Sequence, residues 1–368
     1  MKNNFLLILS SVNLSLLIGL FVILTPTQAN EDYQLQNFKL EDMINSDAAL
    51  VASLKAYGPK QTILSLSSLE GQKGFDCHQR AHTTGRLAAK IFPIEKAFRE
   101  GSGECHSGYF HGTTEQYFAI YGTKNLSENL SKLCNNSLNS FFRHQCYHGV
   151  GHGLMGWTSY EINDALANCD GLTEGRDQNS CATGVFMENF TGAFQNGSNN
   201  TDHTSKYLSD NPQFPCNVVT SHKSECYFLQ TSRMIQIFGP DFQKVSAECS
   251  KAPEQFQESC FQSMGRDVGG TTRPNPKASI EKCNFAPEGE DRNSCLNGAI
   301  QDYFWDPTGA KDAIEFCKSL SVENQKHLCY LIINGTATQI LTTNTQKSDF
   351  CNSVEADFKD ECQKQLSI

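Results

Sequence analysis

The sequence lacks the motifs that mark the common catalytic folds. It has no HExxH zinc-protease helix, no CxxCH haem attachment, no GxSxG nucleophile elbow and no GxGxxG that opens a βαβ unit. The glycine-rich segment "HGVGHG" is not followed by the Lys and Ser or Thr of a Walker phosphate loop. Any chemistry must therefore come from residues arranged in another pattern.

The sequence also has few positive charges and few long hydrophobic runs. It carries 30 Lys and Arg residues against 40 Asp and Glu residues, which gives a formal net charge of −10. A chain of this charge is not expected to bind nucleic acid or an anionic lipid surface. After residue 24 no segment is apolar enough to cross a bilayer, so membrane contact is expected only through the amino-terminal segment.

Residues 1–29 predict a secretory signal peptide. Lys2 is followed by an apolar run over residues 5–24 and by the small-residue sequence "TPTQAN", which allows cleavage after Ala29. The alternative is an uncleaved anchor, because a run of about 20 apolar residues can span a bilayer. Seven Asn-X-Ser/Thr sequons agree with an exported glycoprotein. These sequons begin at Asn125, Asn129, Asn135, Asn189, Asn196, Asn199 and Asn334.

The sixteen cysteines predict a framework of eight local disulfides. From Cys134 onwards they fall into seven close pairs, and Cys77 with Cys105 forms the eighth. The pairs are Cys77 and Cys105, Cys134 and Cys146, Cys169 and Cys181, Cys216 and Cys226, Cys249 and Cys260, Cys283 and Cys295, Cys317 and Cys329, and Cys351 and Cys362. An alternative connects cysteines about 23 residues apart, but it leaves Cys77 and Cys362 without partners.

The spacing of these pairs predicts the fold. From Cys226 to Cys362 the second cysteines recur every 33 to 35 residues, and this period is typical of a helical-hairpin solenoid. Apolar residues at helical spacing precede each first cysteine, as in "AKDAIEFC". We therefore expect the first cysteine of a pair at the end of one helix and the second at the start of the next.

In period and in hairpin pattern, residues 77–368 resemble the cysteine-stapled Sel1-like and tetratricopeptide solenoids, although the tetratricopeptide Trp, Leu, Gly and Tyr signature is absent in register. The resemblance implies stacked helix pairs with a concave face. We predict an all-α, disulfide-stapled helical-hairpin solenoid with a period of about 34 residues. Its predicted parts are a helical cap over residues 30–76, histidine-rich repeats over 77–190 and further helical repeats over 191–368.

Histidine is concentrated in the first repeats. Seven of the ten histidines lie between positions 78 and 152, and three pairs of candidate ligands are spaced four residues apart. On an α-helix such residues share one face about 6 Å apart, so their side chains can converge on one ion. The pairs are His78 with His82, His111 with Glu115, and His148 with His152. If "HGVGHG" were a loop, this argument would fail for the last pair.

Stacked repeats would bring these pairs together as one metal site. The predicted ligands are His78, His82, His111, Glu115, His148 and His152. They suffice for one saturated ion or for two ions with open positions, and zinc, copper or iron suits such ligands. His111 and His152 both lie six positions after a cysteine; the next repeat has Met187 in that slot, with Glu188 beside it as a further carboxylate. The competing interpretation is a buried polar network or solvated histidines.

Two functions fit this sequence. The first is a metal-dependent hydrolase or oxidase, in which Glu115 or Glu188 serves as general base or ligand. The second is a non-catalytic scaffold that captures a peptide, a glycan or a metal ion on its concave face. Arg80, Arg86 and Arg143 lie near the histidines, and we expect them to pair with local acids rather than with a substrate.

Overall fold

The computed structural model describes residues 39–72, 75–135, 140–192 and 205–368, and over these residues the chain is helical without a β-strand. The predicted signal peptide, Asn196, Asn199 and His203 lie outside the described residues. Among the described helices none is long and apolar enough to span a membrane.

Seventeen α-helices occupy the described part of the chain. In the first half they are α1 (Asp47–Ser67), α2 (Cys77–Ile91), α3 (Ile94–Arg99), α4 (Gly108–Tyr121), α5 (Leu126–Cys134), α6 (Ser140–Trp157), α7 (Ile162–Asp170) and α8 (Gly175–Met187). In the second half they are α9 (Lys223–Phe238), α10 (Phe242–Cys249), α11 (Glu254–Thr272), α12 (Pro276–Cys283), α13 (Glu290–Tyr303), α14 (Ala310–Ser319), α15 (Glu323–Ile340), α16 (Asn344–Ser353) and α17 (Ala356–Leu366). Helix α1 is interrupted at Gly58, whose φ of +79° is not helical and which Pro59 follows, so the predicted helical cap contains two helical segments.

The helices stack in the order that a solenoid requires. Helix α2 packs on α4, α4 on α6 and α6 on α8; the series continues through α9, α11, α13, α15 and α17. Helices α5, α7, α10, α12, α14 and α16 lie between them and pack against their neighbours in sequence. The predicted disulfide-stapled helical solenoid is therefore confirmed, whereas its internal domain boundaries stay a prediction.

All eight predicted disulfides are present, and no cysteine of the described residues is free. Most of them join the end of a short helix to the next stacking helix; Cys105 and Cys216 instead lie in turns before α4 and α9. Apart from Cys105, the second cysteine of each pair lies one or two turns inside its helix, so the prediction that it opens the helix is wrong by a few residues. Closing a loop of 10 to 12 residues stabilises the fold by roughly 3 kcal/mol per bridge. Eight disulfides also indicate an oxidising compartment.

Glycines allow the stacking helices to approach very closely. A Cβ atom on Gly151 of α6 would overlap the carbonyl oxygen of Cys181 in α8, and one on Gly112 of α4 would overlap that of His82 in α2. In the second half, Gly298 of α13 meets the carbonyl oxygen of Gln262 in α11 in the same way. Glycine in a helix costs about 1 kcal/mol relative to alanine, and this close packing explains why it is used here.

The second half curves back onto the first. Ser140 Oγ at the start of α6 donates a hydrogen bond of 3.2 Å to Gln339 Oε1 near the end of α15. Trp305, which follows α13, stacks on His106 with ring centroids 6.5 Å apart. A cavity of about 550 Å³ lies between the two halves, and Phe110, the neighbour of His111, forms part of its wall. The histidine-rich helices therefore face the late repeats across a cavity.

Candidate metal centre

The three predicted pairs lie on three consecutive stacking helices. His78 and His82 belong to α2, His111 belongs to α4, and His148 and His152 belong to α6. The ring centroids are 4.8 Å apart in the first pair and 4.9 Å apart in the last. "HGVGHG" lies in the middle of α6, so the loop alternative is wrong. Helix packing thus brings five histidine rings into one cluster, which we call the histidine cluster.

The histidine cluster is mostly buried, and burial keeps three of its rings uncharged. His111 is only 1% exposed, and His148 is 6% exposed. Burial, reinforced by the neighbouring histidines, lowers the pKa of His78 to about 4 and the pKa values of His111 and His148 well below the ordinary value. These three rings are therefore neutral at neutral pH, the form in which imidazole binds metal ions.

Hydrogen bonds fix the ring orientation of the α2 pair. His78 Nδ1 lies 2.9 Å from the carbonyl oxygen of Cys105, and His82 Nδ1 lies 2.9 Å from Glu115 Oε1. Both partners are acceptors, so each Nδ1 must carry a proton and donate it. The two Nε2 atoms are 3.2 Å apart, and in a neutral ring each of them carries a lone pair.

The α6 pair repeats this arrangement with different partners. His148 Nδ1 lies 2.9 Å from Thr183 Oγ1, whose own proton is donated to the carbonyl oxygen of Ser180. His152 Nδ1 lies 2.8 Å from Glu188 Oε2. Both Nδ1 atoms therefore donate, and the two Nε2 atoms again face each other at 3.2 Å.

His111 lies between the two pairs. Its Nδ1 is 3.1 Å from His82 Nε2, while its Nε2 is buried and has no hydrogen-bond partner among the described residues. Its ring also stacks on His152, with centroids 3.9 Å apart and an angle of 17° between the planes. Two groups of three candidate ligands result, and they share this residue. They are His78, His82 and His111, and His111, His148 and His152, with candidate ligand atoms within 4.8 Å of one another in each group.

The two glutamates lie behind the rings as ionised acceptors. Burial of Glu115 alone would raise its pKa, but His82 and Arg86, whose Nη1 lies 2.6 Å from Oε2, outweigh burial and hold the pKa at about 2. Glu188 is also buried, and its contacts with His152 and with the Tyr160 hydroxyl at 3.0 Å nevertheless lower its pKa. Each carboxylate therefore orients one histidine by accepting its Nδ1 proton, as the outer partners of metal-binding histidines commonly do.

Nitrogen distances in the histidine cluster match those around a small metal ion. In a tetrahedral site with metal–nitrogen bonds of 2.0–2.1 Å, neighbouring nitrogens lie about 3.3 Å apart. The three shortest contacts here measure 3.1 to 3.2 Å. Lone pairs that face each other at this distance repel unless a cation lies between them. A proton on one ring of each pair would also remove the repulsion, and the histidine cluster would then be a polar network.

The remaining candidate residues have ordinary partners. Arg80 pairs with Asp47 at 2.8 Å, and Arg143 pairs with Asp177 at 2.7 Å, so the expected pairing with local acids is confirmed. Outside the histidine cluster His144 contacts Ser180, His222 contacts Asp170 and His327 contacts Glu361.

The burial of the sequon asparagines tests which of them can carry a glycan. Asn189 and Asn334 are fully buried, so the folded chain leaves no room for a glycan at either residue. Asn125 and Asn135 are exposed and keep the predicted acceptor role open.

Two partners of the histidine cluster were not predicted from the sequence. Thr183 lies two positions after Cys181, the slot that His148 occupies after Cys146, so the repeat register carried a signal for it. Tyr160 follows α6 in a turn with φ of 63°, and no spacing pointed to its contact with Glu188.

No protein-family model, no curated protein and no solved structure matches this chain. The geometry of the histidine cluster is therefore the basis for a function.

Proposed function

We propose that this protein is an exported metalloprotein whose histidine cluster binds a divalent transition metal. The observation that carries the proposal is the set of four rings whose Nδ1 atoms each lie against a hydrogen-bond acceptor, so that each ring in its neutral form presents an Nε2 lone pair. Oriented neutral imidazoles are ready-made metal ligands, because little rearrangement is needed when the ion enters. Since all sixteen cysteines are in disulfides, no thiolate competes, and imidazole nitrogen favours zinc, copper or iron.

The chemistry we propose is a metal-dependent hydrolysis or oxidation. Three histidine ligands leave one position of a tetrahedral ion free for water or substrate, which is the arrangement of catalytic zinc sites. Zinc in such a site activates water, whereas copper or iron would support oxidation with O₂. Partly buried His78 lies 6.4 Å from the exposed ring of His106, centroid to centroid, and we propose that a substrate approaches the ion from this edge.

The two glutamates contribute to this chemistry through the histidines. Glu115 and Glu188 each accept an Nδ1 proton, which supports a role in raising ligand basicity. The Tyr160 hydroxyl and Arg86 occupy the second oxygen of Glu188 and of Glu115 respectively. Service as general base or as direct ligand, the other role that their positions suggest, would require one of these contacts to break.

A second candidate function is capture without turnover. The cavity of about 550 Å³ between the halves is lined by aromatic residues, including Phe98, Phe110 and Trp305. An aromatic-lined cavity of this size suits a peptide side chain or a sugar ring. Metal-loaded protein that binds such a ligand and never converts it would favour this function over catalysis.

Metal analysis of the purified chain tests the proposal. The wild-type chain, stripped and then reloaded with zinc, copper or iron, should retain stoichiometric metal after gel filtration. The double variant His111→Ala/His152→Ala should lose it, while His327→Ala, which changes a histidine on α15 outside the histidine cluster, should not. Equal metal content in the double variant and the wild type would remove the site.

The export proposal has a separate test. Amino-terminal sequencing of the chain recovered from the culture medium should begin at Asn30 if the signal is cleaved after Ala29. A chain that stays in the membrane fraction with residues 1–29 attached would instead establish the anchor. Metal analysis does not depend on this outcome, provided that the disulfides have formed.

A further inference from the structure

We propose that His111 bridges two metal ions, one held with His78 and His82 and the other with His148 and His152. This inference rests on the proposed metal function and specifies its form. The observation behind it is that the two ligand groups share this one residue. A bridging ring makes the histidine cluster a dinuclear centre.

The two nitrogens of His111 have separate surroundings. Nδ1 lies 3.1 Å from His82 Nε2 and therefore belongs with the α2 pair. Nε2 is buried without a hydrogen-bond partner among the described residues, and the ring that carries it packs against His152. An unpartnered buried nitrogen costs free energy, and a metal ion held together with His148 and His152 would give this nitrogen a partner.

A single ion cannot use all five rings. The two nitrogens of an imidazole point away from each other, so an ion bound at one of them is about 4 Å from the other. An ion between His78 and His82 on the Nδ1 side is therefore out of bonding range of the unpartnered Nε2. Two ions, about 6 Å apart across the ring, would use both nitrogens and both outer pairs.

The proton and charge balance of this arrangement is simple. Neutral His111 has one lone pair and one ring proton, so the first ion takes the lone pair. When the second ion binds the other nitrogen, the ring proton leaves to solvent and the ring becomes an imidazolate. The two divalent ions carry four positive charges, and the imidazolate, Glu115 and Glu188 carry three negative charges. No oxidation or reduction accompanies this step.

Metal stoichiometry in matched variants distinguishes a bridge from a single site. The wild-type chain should bind two ions, His82→Ala should keep only the ion of the α6 pair, and His152→Ala should keep only that of the α2 pair. His111→Ala should weaken both sites together, because each then retains two ligands. His327→Ala is the control, and circular dichroism with thermal unfolding identifies any variant that fails to fold.

Electron paramagnetic resonance of the copper-loaded protein gives a readout independent of activity. Two Cu²⁺ ions joined by one imidazolate couple magnetically, so the wild-type signal should be weaker than its copper content requires. His82→Ala and His152→Ala each retain His111 and should show a full signal for one isolated ion. These two variants decide the question even if His111→Ala does not fold.

The outcomes separate the bridge from the proposed function. One ion per wild-type chain, or two ions with a full uncoupled signal, would overturn the bridge and leave a metal site in place. Two ions retained by His111→Ala would also overturn the bridge. A wild-type chain that binds no zinc, copper or iron would overturn the proposed function itself.

Discussion

The first and second halves of the molecule share one helical scaffold but differ in the polar groups that pack between their stacking helices. In the second half, Asp267 of α11 accepts hydrogen bonds from Thr231 at 2.7 Å, from Ser232 at 3.1 Å and from Arg266 at 3.0 Å. This network, which we call the Asp267 network, supplies donors to both carboxylate oxygens. The histidine cluster leaves a buried nitrogen of His111 without a partner. A closed network stabilises the fold, whereas an unpartnered buried nitrogen remains able to bind a ligand.

The difference arises from residue choice at equivalent positions. The position six residues after the second cysteine of a pair is a histidine in two early repeats. Along the chain it is occupied by His111, His152, Met187, Ser232 and Arg266. The helices and their disulfides continue beyond this change, so the scaffold does not depend on the histidines. The candidate metal ligands are thus confined to the early repeats, and the later repeats pack in the same way without them.

Metal removal should give the largest difference in stability between the two halves. Binding to the folded state stabilises it by about 2.7 kcal/mol per ion when the free ion is at 100 times its dissociation constant. Chelation should therefore lower the unfolding temperature and increase hydrogen exchange in α2, α4 and α6, while α11 and α13 change little.

Hydrogen exchange followed by mass spectrometry measures this difference peptide by peptide. His111→Ala, which we expect to bind metal poorly, serves as the control that chelation should leave unaffected. An equal increase in both halves would mean that the ion stabilises the whole solenoid rather than the three histidine helices.

Two glycines on the same helix should respond to alanine in opposite directions. Gly151→Ala places a methyl group on the carbonyl oxygen of Cys181, and such overpacking costs about 1–3 kcal/mol. Gly156 has no other atom within 4 Å of its added Cβ, so Gly156→Ala should stabilise α6 by about 0.5–1 kcal/mol. Chemical denaturation with the disulfides intact measures both changes.

The same packing in the second half provides the comparison. Gly298→Ala should destabilise the chain as Gly151→Ala does, because its added methyl group meets the carbonyl oxygen of Gln262. It should leave metal content unchanged, since α13 holds no ligand. Loss of metal in Gly298→Ala would show that the two halves are coupled more tightly than their separate contacts indicate.

Local spacing made the scaffold and the ligand pairs predictable. Cys134 and Cys146 lie close enough in sequence to pair without knowledge of the rest of the chain, and a four-residue step on a helix places His148 above His152 whatever surrounds them. The curvature that brings Trp305 onto His106 depends on the sum of many helix crossing angles, which no short pattern encodes. The same is true of the turn that places Tyr160 against Glu188.

Removing one acidic residue from each half should distinguish an effect on metal affinity from an effect on folding free energy. Glu115→Ala takes away the acceptor that orients His82, and loss of such a partner usually lowers metal affinity 10- to 100-fold. Asp267→Ala removes the acceptor of the Asp267 network and should cost about 1–3 kcal/mol of folding free energy with metal affinity unchanged. Competition titration with a chromophoric chelator measures the first effect, and denaturant unfolding measures the second. If Asp267→Ala lowered metal affinity as much as Glu115→Ala, the proposed division of roles would be wrong.

The smallest expected effect concerns the junction between the halves, where His222 immediately precedes α9 and its Nε2 atom lies 2.7 Å from Asp170 Oδ1 of α7. The Glu225 carboxylate, 3.7 Å from His222 Nδ1, raises the pKa of His222 above its ordinary value of 6.5; burial opposes this effect and Asp170 reinforces it. A raised pKa in the folded state means that protonation favours folding, so the contribution is complete below pH 6.5 and is lost as the pH rises through the folded-state pKa. His222→Gln should therefore destabilise the chain by less than about 1 kcal/mol at pH 5.5 and by still less at pH 8.5, because half-exposed Asp170 is screened by solvent. Thermal unfolding of both chains at the two pH values measures this, and a larger loss at pH 8.5 would show that the neutral ring, not the charged one, joins the two halves.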